Sequence, residues 1–166
     1  MLTRHFRNIL YIKIRESRLI VKSLKTGKVA VDEPILAMEA NGKTRVLAVG
    51  ARARKLEGGN AAIIANGFSH TRSIIDDPRV AQKTLHYFVR HVHPHSPMRL
   101  RPLAVVHPLE RVEGGLTQLE ACTLRDLALR AGAKRACVWV GQELPDEEIL
   151  ANKYPTLSGE LHFPLK

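Results

Sequence analysis

The densest set of groups able to bind a metal lies mid-chain: His86, His91, His93 and His95, with His107 further on. In an extended segment a His-x-His-x-His run points its imidazoles to one side, where two or three can share zinc or nickel. His91, His93 and His95 are therefore the metal-ligand candidates, yet Pro94 and a helix end scatter their directions. No cysteine or carboxylate completes a set, so no metal site is expected. Histidines at a helix C-terminus gain in any case from the negative end of its dipole. Asp76 and Asp77 invite a two-metal nuclease reading, but they precede a helix, and Asp77 is accounted for as its cap. Gly114-Gly115, with Thr117, could offer free N–H groups to an anion at a helix start, as many helix starts do without a ligand. Glu110, Glu113 and Glu120 read as solvated charges, and Cys122 and Cys137 as small core residues without a disulfide. No catalytic residue set emerges.

The element most firmly set by the sequence is a β-α-β unit from Pro102 to Val140. Leu103 to His107 and Ala136 to Val140 are short apolar runs rich in β-branched residues. Between them Leu116, Leu119, Leu124, Leu127 and Ala131 fall on one helical face, and Gly132 ends that helix. A helix linking two buried strands makes them parallel with a right-handed crossover, which implies an α/β sheet with helical cover. A second helix opens at Asp77-Pro78, aspartate suiting the N-cap and proline the first helical position. It buries Ala81, Leu85, Phe88, Val89 and Val92 and stops at Pro94 and Pro97.

Before these helices the chain is strand-rich. Leu10 to Ile14 and Leu19 to Leu24 make a hairpin across Arg15-Glu-Ser-Arg18, and Val29 to Val31 follows the Thr26-Gly27 turn. Ile35 to Ala40 turns through Asn41-Gly42 into Arg45 to Val49, so the meander is mostly antiparallel up to residue 50. Gly50 to Leu56 suits a short helix, and Ala61 to Ala65 and Ser73 to Ile75 are strand or extended. Gly141 to Lys166, with three prolines, reads as a terminal arm with one short helical stretch at Pro145 to Lys153.

At 166 residues and 45% apolar content the chain suits one domain with a real core. No apolar run approaches the ~20 residues of a membrane span, and the start lacks a signal peptide's apolar region, so a cytoplasmic location is expected. The net charge of +10 points towards nucleic acid, an anionic membrane surface or an acidic protein. The basic residues are nevertheless spread along the chain and aromatics are only 5%, which offers no stacking platform. Trp139 reads as core.

Collinear segments then carry a resemblance: Val31-Asp-Glu-Pro34, Leu47-Ala-Val-Gly50, Ile74-Ile-Asp-Asp77 leading into Lys83, Leu85, Phe88 and Val92-His93, then Met98-Arg99 and Ala131-Gly-Ala133. Over Leu10 to Val140 the chain resembles the N-terminal half of the MreB/Mbl rod shape-determining proteins, bacterial homologues of actin. The resemblance implies an actin-like, ribonuclease H-like mixed sheet with helices: the first half of an actin-type ATPase domain at 1–140, with a small inserted subdomain at about 35–75, and a C-terminal arm at 141–166.

The family holds ATP in a cleft, and there this sequence departs from it. Where the family's first phosphate loop carries Asp-Leu-Gly-Thr, this chain has Lys13-Ile-Arg15-Glu-Ser17. The carboxylate has become a cation and the glycine is gone, leaving Lys13, Arg15 and Ser17 as a degenerate loop. The family's glutamates after the second strand of the β-α-β unit would fall near Val140-Gly141; Gln142 and Glu143 lie two residues out of register. The resemblance stops short of the second phosphate loop and the adenosine pocket, and phosphoryl transfer needs both walls and a metal. The expectation is a non-catalytic, truncated MreB-like protein with no cofactor and no ATPase activity: a self-associating scaffold or regulator linked to cell shape and the cytoskeleton. Its sheet would lack the helices that cover one face in the family, leaving that face for the arm, a second copy or a protein partner. The alternatives are a basic module binding nucleic acid or an anionic membrane, and a residual nucleotide binder.

Overall fold

In a computed structural model, which describes residues 7–41 and 45–165, the chain folds around a six-stranded mixed sheet with a three-stranded sheet beside it. The strands are β1 (Ile9–Ile14), β2 (Leu19–Ser23), β3 (Val29–Asp32), β4 (Ile35–Glu39), β5 (Val46–Val49), β6 (Ala62–Asn66), β7 (Leu103–Pro108), β8 (Arg135–Gly141) and β9 (Gly159–His162). The helices are α1 (Ala51–Arg54), α2 (Pro78–Val92), α3 (Gln118–Arg130) and α4 (Asp146–Leu150).

The large sheet runs β3-β2-β1-β7-β8-β9. β1, β7 and β8 are parallel neighbours, and β2, β3 and β9 are antiparallel to the strand they join. The β-α-β unit thus forms as expected. The meander does not continue to residue 50, because Pro34 breaks the chain after β3 and β4 starts a separate sheet. There β4 pairs antiparallel with both β5 and β6, with a register shift between Ala37 and Met38. Ala62 to Asn66 is a strand, whereas Ser73 to Ile75 is irregular with Ile74 buried. The Asn41-Gly42 turn lies partly outside the described residues.

One face of the large sheet carries Leu10, Ile12, Ile14, Leu19, Val21, Ala104, Val106 and Val138, packed under α2 and α3. For α2 the sequence reading holds: the Asp77 side chain accepts from Arg79 N–H (2.8 Å) and Val80 N–H (3.3 Å), and the apolar stripe is buried. For α3 it needs correction. Leu119 is 76% exposed, and the buried side is Ala121, Leu124, Leu127 and Ala128. Leu119 and Leu124 are five residues apart, about 140° around a helix at ~100° per residue, so they cannot share a face.

The opposite face carries Ile9, Tyr11, Leu103, Val105, Cys137 and Trp139. The arm covers it: Leu144, Ile149 and Leu165 are buried there, with Tyr154 beside them. Of the covers expected for this face, the arm, a second copy or a partner, it is the arm that closes it over β1, β7 and β8, so the expected association through an uncovered face does not hold there. The physical reason is β9, whose antiparallel pairing with β8 returns the arm to the sheet edge. Burying three such anchors contributes on the order of 5 kcal/mol. What stays open on this face lies at the β3 edge, where Val29 and Val31 are 43% and 55% exposed. Among the described residues no helix is long and apolar enough to cross a membrane.

Candidate functional site

The parallel strands β1, β7 and β8 end together at Ile14, Pro108 and Gly141, and the carboxyl ends of parallel strands are where open α/β sheets bind ligands. The residues clustered there are Lys13, Arg15, Glu16, His107, Glu110, Arg111 and Glu143, tied together by hydrogen bonds and ion pairs. They come from positions about a hundred residues apart because β1 pairs with β7 in a register that sets Lys13 against His107.

At the β1–β2 turn the backbone N–H groups of Arg15, Glu16 and Arg18 are already taken. Arg15 N–H donates to Arg18 O (2.9 Å), and Arg18 N–H donates back to Arg15 O (3.3 Å). Glu16 N–H donates to the Glu110 carboxylate (2.8 Å), whose other oxygen lies 3.5 Å from Arg15 Nη1. A built-in carboxylate thus holds an amide and a guanidinium that an anion on this turn would need. Lys13 is likewise engaged, its Nζ 2.9 Å from Glu143 Oε2, and this hydrogen bond holds the Glu143 carboxyl below its ordinary value. Arg111 pairs with Glu16 and lies 3.7 Å from Glu110. Its backbone sits at φ 56, in the left-handed region that favours glycine.

Beside the turn is an open groove of about 760 Å³, lined by Glu16, Ser17, Glu33, Glu110, Glu113, Arg54 and Arg111 among others. Four carboxylates face two guanidiniums, and Arg54 is itself paired with Glu33 and Glu57. This donor set does not fit a nucleoside triphosphate, which would place several negative charges among these carboxylates. Of the sequence candidates, Lys13, Arg15 and Ser17 do meet at this ledge. The first pairs with Glu143, which the resemblance set two residues out of register, and the second with Glu110, which the sequence reading took as solvated.

Directly beneath is a buried relay that sequence reasoning missed. His107 is fully buried, with Nε2 2.9 Å from Gly141 O and Nδ1 2.7 Å from Tyr11 Oη. A carbonyl only accepts, so Nε2 carries the proton and Nδ1 accepts from the Tyr11 hydroxyl. The hydroxyl in turn accepts from Leu144 N–H (3.2 Å). Every polar atom of the relay is satisfied with a neutral imidazole, and burial lowers the His107 pKa. Burial likewise pushes Tyr11 up to about 12. The relay ties β1, β7 and the start of the arm together, and both of its side chains are buried. Its sequence signal was weak: Tyr11 and His107 each lie two positions from a core residue of the same face, the period of a strand.

The remaining candidates do not converge. His93 Nδ1 accepts from Asn8 Nδ2 (3.2 Å), while His91 and His95 are exposed. Among the described residues no group of three or more His, Cys, Asp or Glu could hold a metal ion. Asp76 lies in the loop before α2, apart from the central strands. At α3 Thr117 Oγ1 accepts from Glu120 N–H (3.2 Å) while Glu120 Oε2 accepts from Thr117 N–H (2.9 Å). This reciprocal capping box uses donors that an anion would need. It corrects the reading of Glu120 as a solvated charge, and the signature Thr117-x-x-Glu120 was there to be read. Both cysteines are free.

No protein-family model and no curated protein sequence matches the chain. Its backbone, however, matches solved structures. MreB5 of Spiroplasma citri bound to ADP aligns with a TM-score of 0.62 at 16% identity, covering 80% of this chain and 37% of that one. The MamK double helical filament aligns at 0.63 and 18%, covering 81% and 40%. A non-polymerising MamK mutant bound to AMPPNP aligns at 0.60 and 21%, again covering 81% and 40%. The chain spans well under half the length of these neighbours. Identities this low speak to fold alone, and on that ground the chain has the actin-like fold.

Proposed function

We propose that this chain is a non-hydrolysing actin-like module that acts by association, as a scaffold or regulator tied to the cytoskeleton that governs cell shape. The observation that carries the reading is the occupied turn between β1 and β2: Glu110 accepts the Glu16 N–H, and Lys13, Arg15 and Arg111 are all paired with glutamates. A site for phosphoryl transfer must offer preorganised donors to developing negative charge. Here the Glu16 N–H and the Lys13, Arg15 and Arg111 side chains are engaged by the protein's own carboxylates. The neighbours include an ADP-bound protein and a double helical filament, and of those two properties it is assembly that this chain retains. Its self-association runs through the open β3 edge, where exposed Val29 and Val31 adjoin unpaired backbone.

Sedimentation velocity over a wide concentration range, with and without ATP and magnesium, tests the reading alongside a phosphate-release assay. Association that grows with concentration, is indifferent to nucleotide and releases no phosphate is expected. Release of phosphate, or a monomer at every concentration, would overturn it.

A further inference from the structure

Away from the cleft, the outer side of α2 forms a second groove, of about 720 Å³, between the small sheet and the end of α3. Lys83, His86, Tyr87, Arg90 and His91 of α2 line it together with Arg130, the last residue of α3. No carboxylate lines it. A smaller cavity of about 300 Å³ shares Tyr87 and His91 with it and adds Arg52, with Asp32 on its β3 wall.

The contrast with the cleft is one of compensation. There Arg15, Arg54 and Arg111 are each paired with glutamate, whereas Arg52, Arg90 and Arg130 have no carboxylate partner among the described residues. Basic residues that looked dispersed along the sequence are gathered by the packing of α3 beside α2. Tyr87, 47% exposed, stands among them.

We propose that this groove binds single-stranded nucleic acid. Lys83, Tyr87 and Arg90 are at i, i+4 and i+7 on one helix face. A cation, a ring and a cation thus follow one another over about 10 Å of helix at ~1.5 Å per residue. That alternation matches phosphate, base and phosphate, with Tyr87 as the stacking surface and the arginines as phosphate contacts. An acidic peptide supplies the charge but not a flat group between every two charges, as a nucleic acid strand does. The track is only about 10 Å long, so binding is expected in the micromolar range at low salt.

The test is fluorescence anisotropy of a labelled oligothymidylate of about 20 nucleotides titrated with the full chain at several salt concentrations. Saturable binding that weakens with salt is expected. Replacing both Arg90→Gln and Arg130→Gln should weaken it about tenfold and flatten the logarithmic salt slope by about 1.4, at ~0.7 per lost phosphate contact. Tyr87→Ala should weaken it about five- to hundredfold with the slope unchanged. The charge-matched control Arg135→Gln with Lys153→Gln, both exposed and outside the groove, should leave affinity within about twofold. Crosslinking of a 4-thiothymidine oligonucleotide to the unmodified chain, with adducts mapped to α2, checks the location without relying on any variant's folding. Four results would overturn the proposal: no saturable binding, an equal loss in the control pair, displacement of the oligonucleotide by polyglutamate at equal affinity, or binding to phosphatidylserine vesicles with none to the oligonucleotide.

Discussion

Replacing Tyr11 with phenylalanine removes a single oxygen yet leaves two buried groups without partners. The hydroxyl donates to His107 Nδ1 at 2.7 Å and accepts from Leu144 N–H at 3.2 Å, and both residues are buried. A buried donor or acceptor deprived of its partner costs about 1–3 kcal/mol. With the longer bond at the low end, Tyr11→Phe should destabilise the fold by about 2–5 kcal/mol. At ~3 °C per kcal/mol for a domain of this size, Tm should fall by about 6–15 °C. Trp139, the chain's only tryptophan, is buried in the same layer and reports urea unfolding directly. The midpoint should drop with the urea dependence unchanged, since the same surface is exposed. In alkaline titration the tyrosinate step near pH 12 should vanish. A loss of stability under about 0.5 kcal/mol would refute the relay as a structural tie.

Four further outcomes are expected. The lowered pKa of His107 means that below its ordinary value of about 6.5 the unfolded chain takes up a proton the folded chain refuses. Stability should thus be complete above about pH 6.5 and fall as pH drops towards the folded pKa. Urea unfolding at stepped pH should show this decline diminished in His107→Asn. The carboxyls of Glu143 and Glu120, also held low, contribute only in the more acidic window below about pH 4.5. Gly159→Ala would set a Cβ 2.4 Å from Trp139 Cζ2 and 2.5 Å from Val140 O; it should cost about 3 kcal/mol and shift Trp139 emission to the red. Thr117→Ala removes the α3 cap and should cost about 1 kcal/mol by the same denaturation assay. Val29→Lys with Val31→Lys should weaken self-association at least about tenfold in sedimentation velocity while stability stays within about 0.5 kcal/mol.

Much of the fold was legible where the signal is local. Asp77-Pro78 declared the start of α2, and its apolar spacing gave the buried stripe. Gly132 closed α3, and two β-branched runs around that helix implied parallel strands. The collinear resemblance then pointed to the actin-like sheet order. Reading failed at the start of α3: Leu116 packs on the core but precedes the Thr117 cap, and Leu119, in the first turn, faces away from the buried side. The candidate site was only half legible. Lys13, Arg15 and Ser17 were located, but the pairing of Lys13 with Glu143 and of Arg15 with Glu110, and the placing of Glu110 on the Glu16 amide, were not. Glu110 carries no sign in the sequence of lying beside β1, and Glu143 only its nearness to the place of the family's glutamates.

The sequence by itself determined most of the secondary elements, β9 excepted, and the parallel pairing of β7 with β8. These follow from backbone preference and side-chain period, which a residue expresses with its near neighbours. Only the tertiary structure decided the rest: that Tyr11 meets His107 and Glu16 meets Glu110, that the arm covers the second face, and that Arg130 joins the outer side of α2. Hydrogen bonds and charges act over a few ångströms in space, whatever the separation along the chain. Their partners exist only once the strand order and register have brought distant segments together.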